Sequence, residues 1–115
     1  MAAKPDRLKR RGDFLRAARA RRQGTPAVMV QGRRRGADAR LRYGVTASRK
    51  IGGAVERNRA KRRMRALARE IIPAAGRPGW DYVLIARPKE TLRRPYGAMR
   101  REVAGAIARL HGAEG

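Results

Sequence analysis

The protein is a chain of 115 residues that carries 31 lysines and arginines against 9 aspartates and glutamates, a formal net charge of +22. This length allows one domain with a single small core, and the lack of cysteine excludes disulfides, cysteine zinc sites and thiol nucleophiles. Because so large a positive charge repels itself in a compact chain, it predicts a polyanionic partner, and nucleic acid is the leading candidate.

Arginine far outnumbers lysine in this chain. A guanidinium can fork onto a phosphate or stack on a base, which an ammonium cannot do. Coding bias in a GC-rich genome explains the preference for arginine equally well. It does not explain the excess of cations over anions.

The N-terminus shows no signal-peptide pattern, since Met1 to Asp6 leads directly into a charged stretch. The longest run of large apolar residues, Tyr82 to Ile85, is too short to span a membrane. We therefore expect a cytoplasmic protein with a single RNA-binding domain over residues 1–115. Its ordered core should cover about 7–110 and its tail, 111–115, should be loose.

The first half of the chain predicts a helix followed by strands. Apolar residues recur at helical spacing from Gly12 to Ala20, and a Gly-Thr-Pro sequence then ends the segment. Residues 27–31 form an apolar run, and residues 41–48 alternate apolar with polar side chains. These two segments predict strands that are joined by a basic loop and run antiparallel to each other.

The second half predicts a long helix, a strand and a last helix. Helical periodicity runs from Ala54 to about Ile72, where Pro73 closes the segment. Residues 82–86 do not alternate, which predicts a strand buried on both faces. The last helix begins near Pro95 or Tyr96. Its apolar residues recur at spacings of three and four and should point inward: Tyr96, Met99, Val103, Ile107 and Leu110. The fold class is therefore α/β (α+β), a sandwich in the order helix, two or three strands, helix, strand, helix.

The long helix has two chemically distinct faces. Its apolar stripe consists of Ala60, Met64, Leu67 and Ile71, and its opposite side carries Asn58, Lys61, Arg62 and Arg65. Like charges four residues apart destabilise an isolated helix by roughly 0.2–0.5 kcal/mol per pair, and few acids flank this run. A solvated face would interleave acids with the cations, so the pattern indicates a surface that binds phosphates.

The acids and the histidine of this chain do not indicate a catalytic site. The nine acids are scattered singly, without the close pairing expected of a two-metal site. The only histidine, His111, lies in the predicted tail and is interpreted as a surface residue. We expect no catalytic residue and no protein-bound metal.

The central motif closely resembles the signature of the bacterial ribonuclease P protein subunit, in which an Arg-Asn-Arg helix follows a Lys-x-Gly-x-Ala-Val loop. Here the motif runs from Lys50 through Arg57-Asn58-Arg59 to Arg65. Flanking segments match in the same order, so the resemblance covers about residues 7–110. These flanks are Arg7-Leu8, Asp13-Phe14, Tyr43-Gly44-Val45 and Asp81 to Arg87.

The resemblance implies a protein that joins the catalytic RNA of ribonuclease P and assists removal of the 5′ leader from precursor tRNA. It also implies a left-handed βαβ crossover, catalysis by the RNA, and magnesium held mainly by the RNA subunit and substrate. The implied RNA-binding residues are Arg49, Lys50, Arg57, Asn58, Arg59, Lys61, Arg62 and Arg65. The implied leader cleft contains Phe14, Thr46 and Ser48.

Three positions depart from the family pattern. Gly53 stands where the family often has asparagine, and glycine is an acceptable helix N-cap. Ala18 and Gln31 stand where the family often has cleft aromatics, so leader stacking would rest mainly on Phe14. That ring is alternatively a core residue, and Asn58 is alternatively a surface residue without a partner.

Two other functions fit the composition. A small ribosomal or other structural RNA-binding protein would be equally basic and free of cysteine. A DNA-binding regulator would need a helix-turn-helix or a β-ribbon, and the Gly52-Gly53 loop follows a predicted strand instead of a helix. The motif and its flanks favour the ribonuclease P interpretation over both.

Overall fold

The computed structural model of the protein describes residues 4–36 and 38–112. One five-stranded sheet, in the order β1-β4-β5-β3-β2, organises the molecule. The strands are β1 (Asp6–Arg7), β2 (Arg21–Gly24), β3 (Val28–Arg34), β4 (Arg42–Thr46) and β5 (Trp80–Ala86). The helices are α1 (Arg11–Ala18), α2 (Ala54–Ala75), α3 (Glu90–Arg93) and α4 (Tyr96–Gly112), and a 3-10 turn covers Arg49–Ile51. The predicted α+β class is confirmed.

Strand β5 occupies the centre of the sheet. It pairs parallel with β4 and antiparallel with β3. Strands β3 and β4 therefore run antiparallel to each other, as predicted, but they are not neighbours in the sheet. The apolar β5 instead inserts between the two segments, because only the middle of the sheet buries both of its faces.

The β4–α2–β5 segment is a βαβ unit. Parallel neighbours cannot be joined by a tight turn, and α2 supplies the long connection. The left-handed sense of this crossover stays a prediction. The arrangement places the start of α2 at the end where β4 finishes, and returns the chain to the end where β5 begins.

The main core lies between one face of the sheet and helices α2 and α4. The predicted α2 stripe is buried throughout: Ala60, Met64, Leu67 and Ile71. Four of the five residues predicted to point inward from α4 are also buried, namely Met99, Val103, Ile107 and Leu110, and Tyr96 is half-buried. None of the helices in the described ranges is long and apolar enough to cross a membrane.

The C-terminal ends predicted for the two helices in the second half of the chain are both wrong. Helix α2 continues through Pro73 to Ala75. Because this proline lies in the last turn, its missing N–H removes one hydrogen bond, and the Gly76 N–H still donates to the Ile72 carbonyl at 2.8 Å.

Helix α4 includes residues 111 and 112, which were predicted to be loose. His111 is 5% exposed, so its interpretation as a surface residue is also wrong. Its ring lies edge-on to Trp80 at 4.4 Å, and its Nε2 is 2.5 Å from the Tyr82 hydroxyl. Both aromatic partners come from β5, far back in the sequence. Residues 113–115 of the predicted tail lie outside the described residues.

Helix α1 packs on the opposite face of the sheet. It was predicted over 12–20 and ends two residues earlier, because the chain enters the unpredicted edge strand β2. A small second cluster forms beneath it from Leu8, Ala17 and Val83, with Phe14 and Ile85 half-buried beside them. Since α1 covers only part of this face, β5 is not buried on both sides along its whole length. The part of this face that α1 leaves uncovered includes the half-buried Met29 and Ile85.

Candidate nucleic-acid interface

The predicted RNA-binding residues form one basic surface around the start of α2. Arg49 and Lys50 lie on the 3-10 turn, and the other six project from the first three turns of the helix. Arg59 and Arg62 are exposed. Within the described residues, none of these eight side chains makes a hydrogen bond or an ion pair. We call this surface, with seven unneutralised cations and Asn58, the α2 face.

The loop before α2 is shaped by a serine and two glycines. The Ser48 hydroxyl accepts a hydrogen bond from the Lys50 N–H at 3.3 Å. Gly52 has a φ of 143°, which side chains disfavour, and Gly53 is the N-cap of α2. This turn sets the direction of the helix and places Lys50 beside its first turn.

One arginine in the same run has a structural role. Arg63 donates from Nη1 to the Thr91 carbonyl at 2.9 Å and from Nη2 to the Arg94 carbonyl at 2.8 Å. Its guanidinium therefore ties α2 to α3 and to Arg94, the residue that follows α3. Sequence spacing could not separate Arg63 from its neighbours by role, because its acceptors are main-chain oxygens about thirty residues away.

We expect Arg63→Ala to lower the free energy of unfolding by about 2 kcal/mol, because two carbonyl groups lose a charged donor. Arg62→Ala is the matched control. Its exposed side chain has no partner within the described residues, so its effect should stay within about 0.5 kcal/mol. Urea unfolding followed by circular dichroism measures both values. Equal losses in the two variants would contradict the structural role of Arg63.

The predicted leader cleft lies on the sheet face that α1 partly covers. The Phe14 ring sits directly over Gly44, where an added Cβ would lie 2.5 Å from its Cζ. Thr46 is two residues further along β4 and therefore on the same face. Phe14 is half-buried, so it contributes to the small cluster and still presents part of its ring. Ser48 lies beyond the strand, where its hydroxyl caps the turn.

The floor of the cleft contains residues that the sequence interpretation missed. Met29, Ile85 and Thr46 are neighbours across three strands, and all are half-buried. Arg87 follows on the same side, with its Nη2 2.7 Å from where a Gly24 Cβ would lie. The Nε of Arg87 is buried without a hydrogen-bond partner among the described residues. Val83, Ile85 and Arg87 are spaced two residues apart and therefore share one face of the strand, which the sequence could have indicated. The unbroken apolar run from residue 82 to 86 concealed this alternation.

A buried carboxylate neutralises several arginines at the other end of this face. Asp81 is fully buried and accepts hydrogen bonds from Arg35 at 2.5 Å and Arg42 at 2.8 Å. Arg33 lies 3.8 Å from it. These arginines are held in the fold, so the net charge overstates how many cations face a partner.

Asp13 extends the same ionic network onto α1. It lies 2.7 Å from Arg16 and 3.3 Å from Arg42. The hydrogen bond from Arg16, with the nearby Arg42 charge, holds the pKa of Asp13 below its usual value. The hydrogen bonds to Asp81 raise the pKa of Arg42 further above its ordinary value. Asp13 and Arg42 therefore stay ionised at neutral pH, and their ion pair anchors α1 to the sheet.

The acids of the chain do not fit a magnesium site. Asp13 and Asp81 are bonded to arginines, as are Asp38 and Glu102. The hydrogen bonds from Arg35 lower the pKa of Asp38 to about 2. Within residues 4–36 and 38–112, no three side chains of the metal-ligating types come together. A metal ion would have to displace an arginine from one of these carboxylates.

Comparison with known proteins agrees with this geometry. A sequence profile of the family described as Ribonuclease P matches residues 2–111. The Ribonuclease P protein component of Ruegeria pomeroyi is 53% identical over 106 residues, which cover 90% of this chain and 85% of that protein. The corresponding protein of Paramagnetospirillum magneticum is 45% identical, covering 96% of this chain and 86% of its own length.

A solved structure shows the same fold. The RNase P protein from Thermotoga maritima superposes with a TM-score of 0.73 at 28% identity, covering 90% of this chain and 96% of that one. The arrangement of strands and helices is thus shared over nearly the whole chain. This chain belongs to the ribonuclease P protein family.

Proposed function

We propose that this chain is the protein subunit of ribonuclease P, a cytoplasmic ribonucleoprotein endonuclease. The α2 face binds the catalytic RNA, and the cleft receives the 5′ leader of precursor tRNA. The observation that carries the proposal is the α2 face, where seven cations have no acidic partner within the described residues. In a folded protein such a surface is relieved of its self-repulsion by a polyanion.

The protein contributes binding and positioning, and the RNA subunit carries the catalysis. Each cation of the α2 face that meets a phosphate releases condensed counterions, so association should be steeply salt-dependent. Asn58 can hydrogen-bond to a 2′-hydroxyl or a base edge. A leader base stacked on the exposed part of Phe14 would gain about 1–3 kcal/mol.

Magnesium belongs to the RNA subunit and substrate in this proposal, because most of the acids in the described part of the chain are engaged by arginines. The side chains of this chain hold phosphates in place and take no part in bond breaking. The buried ionic network keeps α1, and with it Phe14, in a constant position over the sheet. A single-stranded leader can therefore enter a cleft that is already formed.

Reconstitution tests the proposed function. We expect the protein, added to a bacterial ribonuclease P RNA at low magnesium, to accelerate removal of the 5′ leader from precursor tRNA. The protein without RNA should leave the substrate intact. Cleavage by an RNA-free preparation would contradict the non-catalytic role. Tighter binding to ribosomal RNA than to ribonuclease P RNA would contradict the assignment of the partner.

We expect Arg57→Ala combined with Arg62→Ala to weaken binding to ribonuclease P RNA and to flatten its salt dependence by about two slope units, one for each lost phosphate contact. Filter binding across a range of salt concentrations measures the slope. The matched control is Arg93→Ala with Arg101→Ala, which removes two exposed arginines that do not belong to the α2 face. An unchanged slope in the first variant, or an equal change in the control, would show that the α2 face is misassigned.

A further inference from the structure

His111, the single histidine of the chain, is buried at the end of α4 and has no part in the proposed function. Its ring packs on the sheet face that carries the main core, since Trp80 and Tyr82 both belong to that core. An unperturbed imidazole is the side chain that changes its charge between pH 5 and 8. The packing of the end of α4 can therefore depend on pH.

Two consecutive hydrogen bonds favour the neutral form of the His111 ring. The Arg77 N–H donates to the Tyr82 hydroxyl oxygen at 2.8 Å, and that oxygen lies 2.5 Å from Nε2 of His111. Because the hydroxyl accepts from Arg77, it can donate its own proton to Nε2, which then needs a lone pair on that nitrogen. Protonation of Nε2 would point two donors at one oxygen and remove this acceptor of the Tyr82 proton.

The surroundings of the ring also disfavour a positive charge, because burial in low dielectric disfavours the charged form of a histidine. Asp81 belongs to β5 but binds its arginines on the other face of the sheet. The remaining acids on these elements are also held by arginines, namely Asp38 by Arg35, Glu70 by Arg100 and Glu102 by Arg94. The cations on the elements around the ring are Arg21 and Arg22 on β2, Arg33 and Arg34 on β3, Arg69 on α2, Arg77 before β5 and Arg109 on α4.

The end of α4 also holds the edge strand β2. Nη1 of Arg21 donates to the Leu110 carbonyl at 3.1 Å, and Nε of Arg109 donates to Oε1 of Gln23 at 3.3 Å. Both contacts involve the two residues of α4 that precede His111. If this turn leaves the sheet, β2 loses its support from α4 and keeps its pairing with β3.

We propose that His111 is a pH-sensitive latch. The neutral ring holds the last turn of α4 on Trp80 and Tyr82, and protonation of the ring releases that turn and loosens β2, while α2 and the centre of the sheet stay folded. The docked state holds the neutral ring and the released state binds the proton, so release is favoured as the pH falls. This latch does not depend on which ligand the protein binds.

Amide hydrogen exchange at pH 5 and pH 7, corrected for the intrinsic pH dependence of exchange, tests the latch. An imidazole in water takes up its proton at about pH 6.5, so a turn that opens with a protonated ring should open about 25-fold more often at pH 5 than at pH 7. We expect this loss of protection in the last turn of α4 and in β2, and not around Met64 in α2. Equal protection at both pH values, or the same loss around Met64, would overturn the inference.

Two substitutions separate protonation of His111 from other effects of acid. His111→Phe keeps an aromatic ring against Trp80 but cannot take up a proton, so protection at the end of α4 should be equal at pH 5 and pH 7. A loss in this variant as large as in the native chain would overturn the inference.

Tyr82→Phe keeps the histidine and removes the hydroxyl that supports its neutral form. The ring should then take up its proton at a higher pH, and the last turn of α4 should be released at a higher pH as well. The chain has one histidine, so its ring resonances in an NMR titration are assigned without ambiguity. A ring that titrates in Tyr82→Phe as it does in the native chain, or one that titrates without any loss of protection in α4, would overturn the latch.

Discussion

Replacing Asp81 by asparagine is expected to lower the free energy of unfolding by about 3 kcal/mol, the largest effect of any single substitution considered. The carboxylate is fully buried among Arg33, Arg35 and Arg42. Removing its charge takes away the buried counterion that these guanidinium groups share and leaves only Asp13 beside Arg42 and Asp38 beside Arg35. Breaking a buried ion pair from one side costs about 3–5 kcal/mol. The lower end applies here, because the arginine side chains are 14–26% exposed and water can reach them.

Asp6→Asn is the matched control for that substitution. Its carboxylate lies 3.4 Å from Arg40, but the two side chains are 55% and 68% exposed. Such a pair contributes about 0–1 kcal/mol. Chemical unfolding at neutral pH compares the two variants. Similar losses for Asp6→Asn and Asp81→Asn would show that the buried network does not hold α1 and the sheet together.

Gly44→Ala should destabilise the fold by about 1–3 kcal/mol and also weaken leader binding. A Cβ at this position would lie 2.5 Å from the Phe14 Cζ and 3.3 Å from the Leu8 Cδ1. The ring must then move off the sheet, with the cost typical of overpacking. Because the same ring borders the cleft, the affinity for precursor tRNA should fall further than the affinity for mature tRNA. Binding to reconstituted holoenzyme measures that difference.

Gly105→Ala is the control for Gly44→Ala, and it should change the stability in the opposite direction. Gly105 lies inside α4, where an added Cβ would meet only the end of the Arg109 side chain, at 3.4 Å. Alanine in a helix interior is favoured over glycine by roughly 0.5–1 kcal/mol. We expect Gly105→Ala to be slightly more stable and to bind leader as the native chain does. Normal leader discrimination by Gly44→Ala would contradict the placement of Phe14 at the cleft.

The two faces of α2 could be predicted from sequence because they depend on local periodicity. A buried stripe and a basic stripe on one helix require only a regular repeat of 3.6 residues, and the stripe from Ala60 to Ile71 is buried as predicted. The charge excess, and hence the class of partner, follows from composition alone. The loop before the helix could also be predicted from Gly52 and Gly53, since few other residues accept the backbone conformation found there.

The roles of individual ionic side chains were decided by tertiary structure. Arg62 and Arg63 are adjacent and chemically identical, yet one is exposed and the other bonds to main-chain carbonyls near α3. In the sequence, nothing distinguishes Asp81 from an ordinary strand residue. In the structure, three arginines from β3, β4 and the loop between them surround it. These contacts join distant segments, and no local pattern records them.

The sequence by itself determined that this is a small basic α+β protein whose long helix has one apolar face and one basic face, because charge and period are properties of the chain. Only the tertiary structure decided that β5 separates β3 from β4, that His111 is buried against Trp80, and that three arginines surround Asp81. The order of the strands and their burial depend on which strand occupies the centre of the sheet. The packing of the whole molecule decides which strand that is.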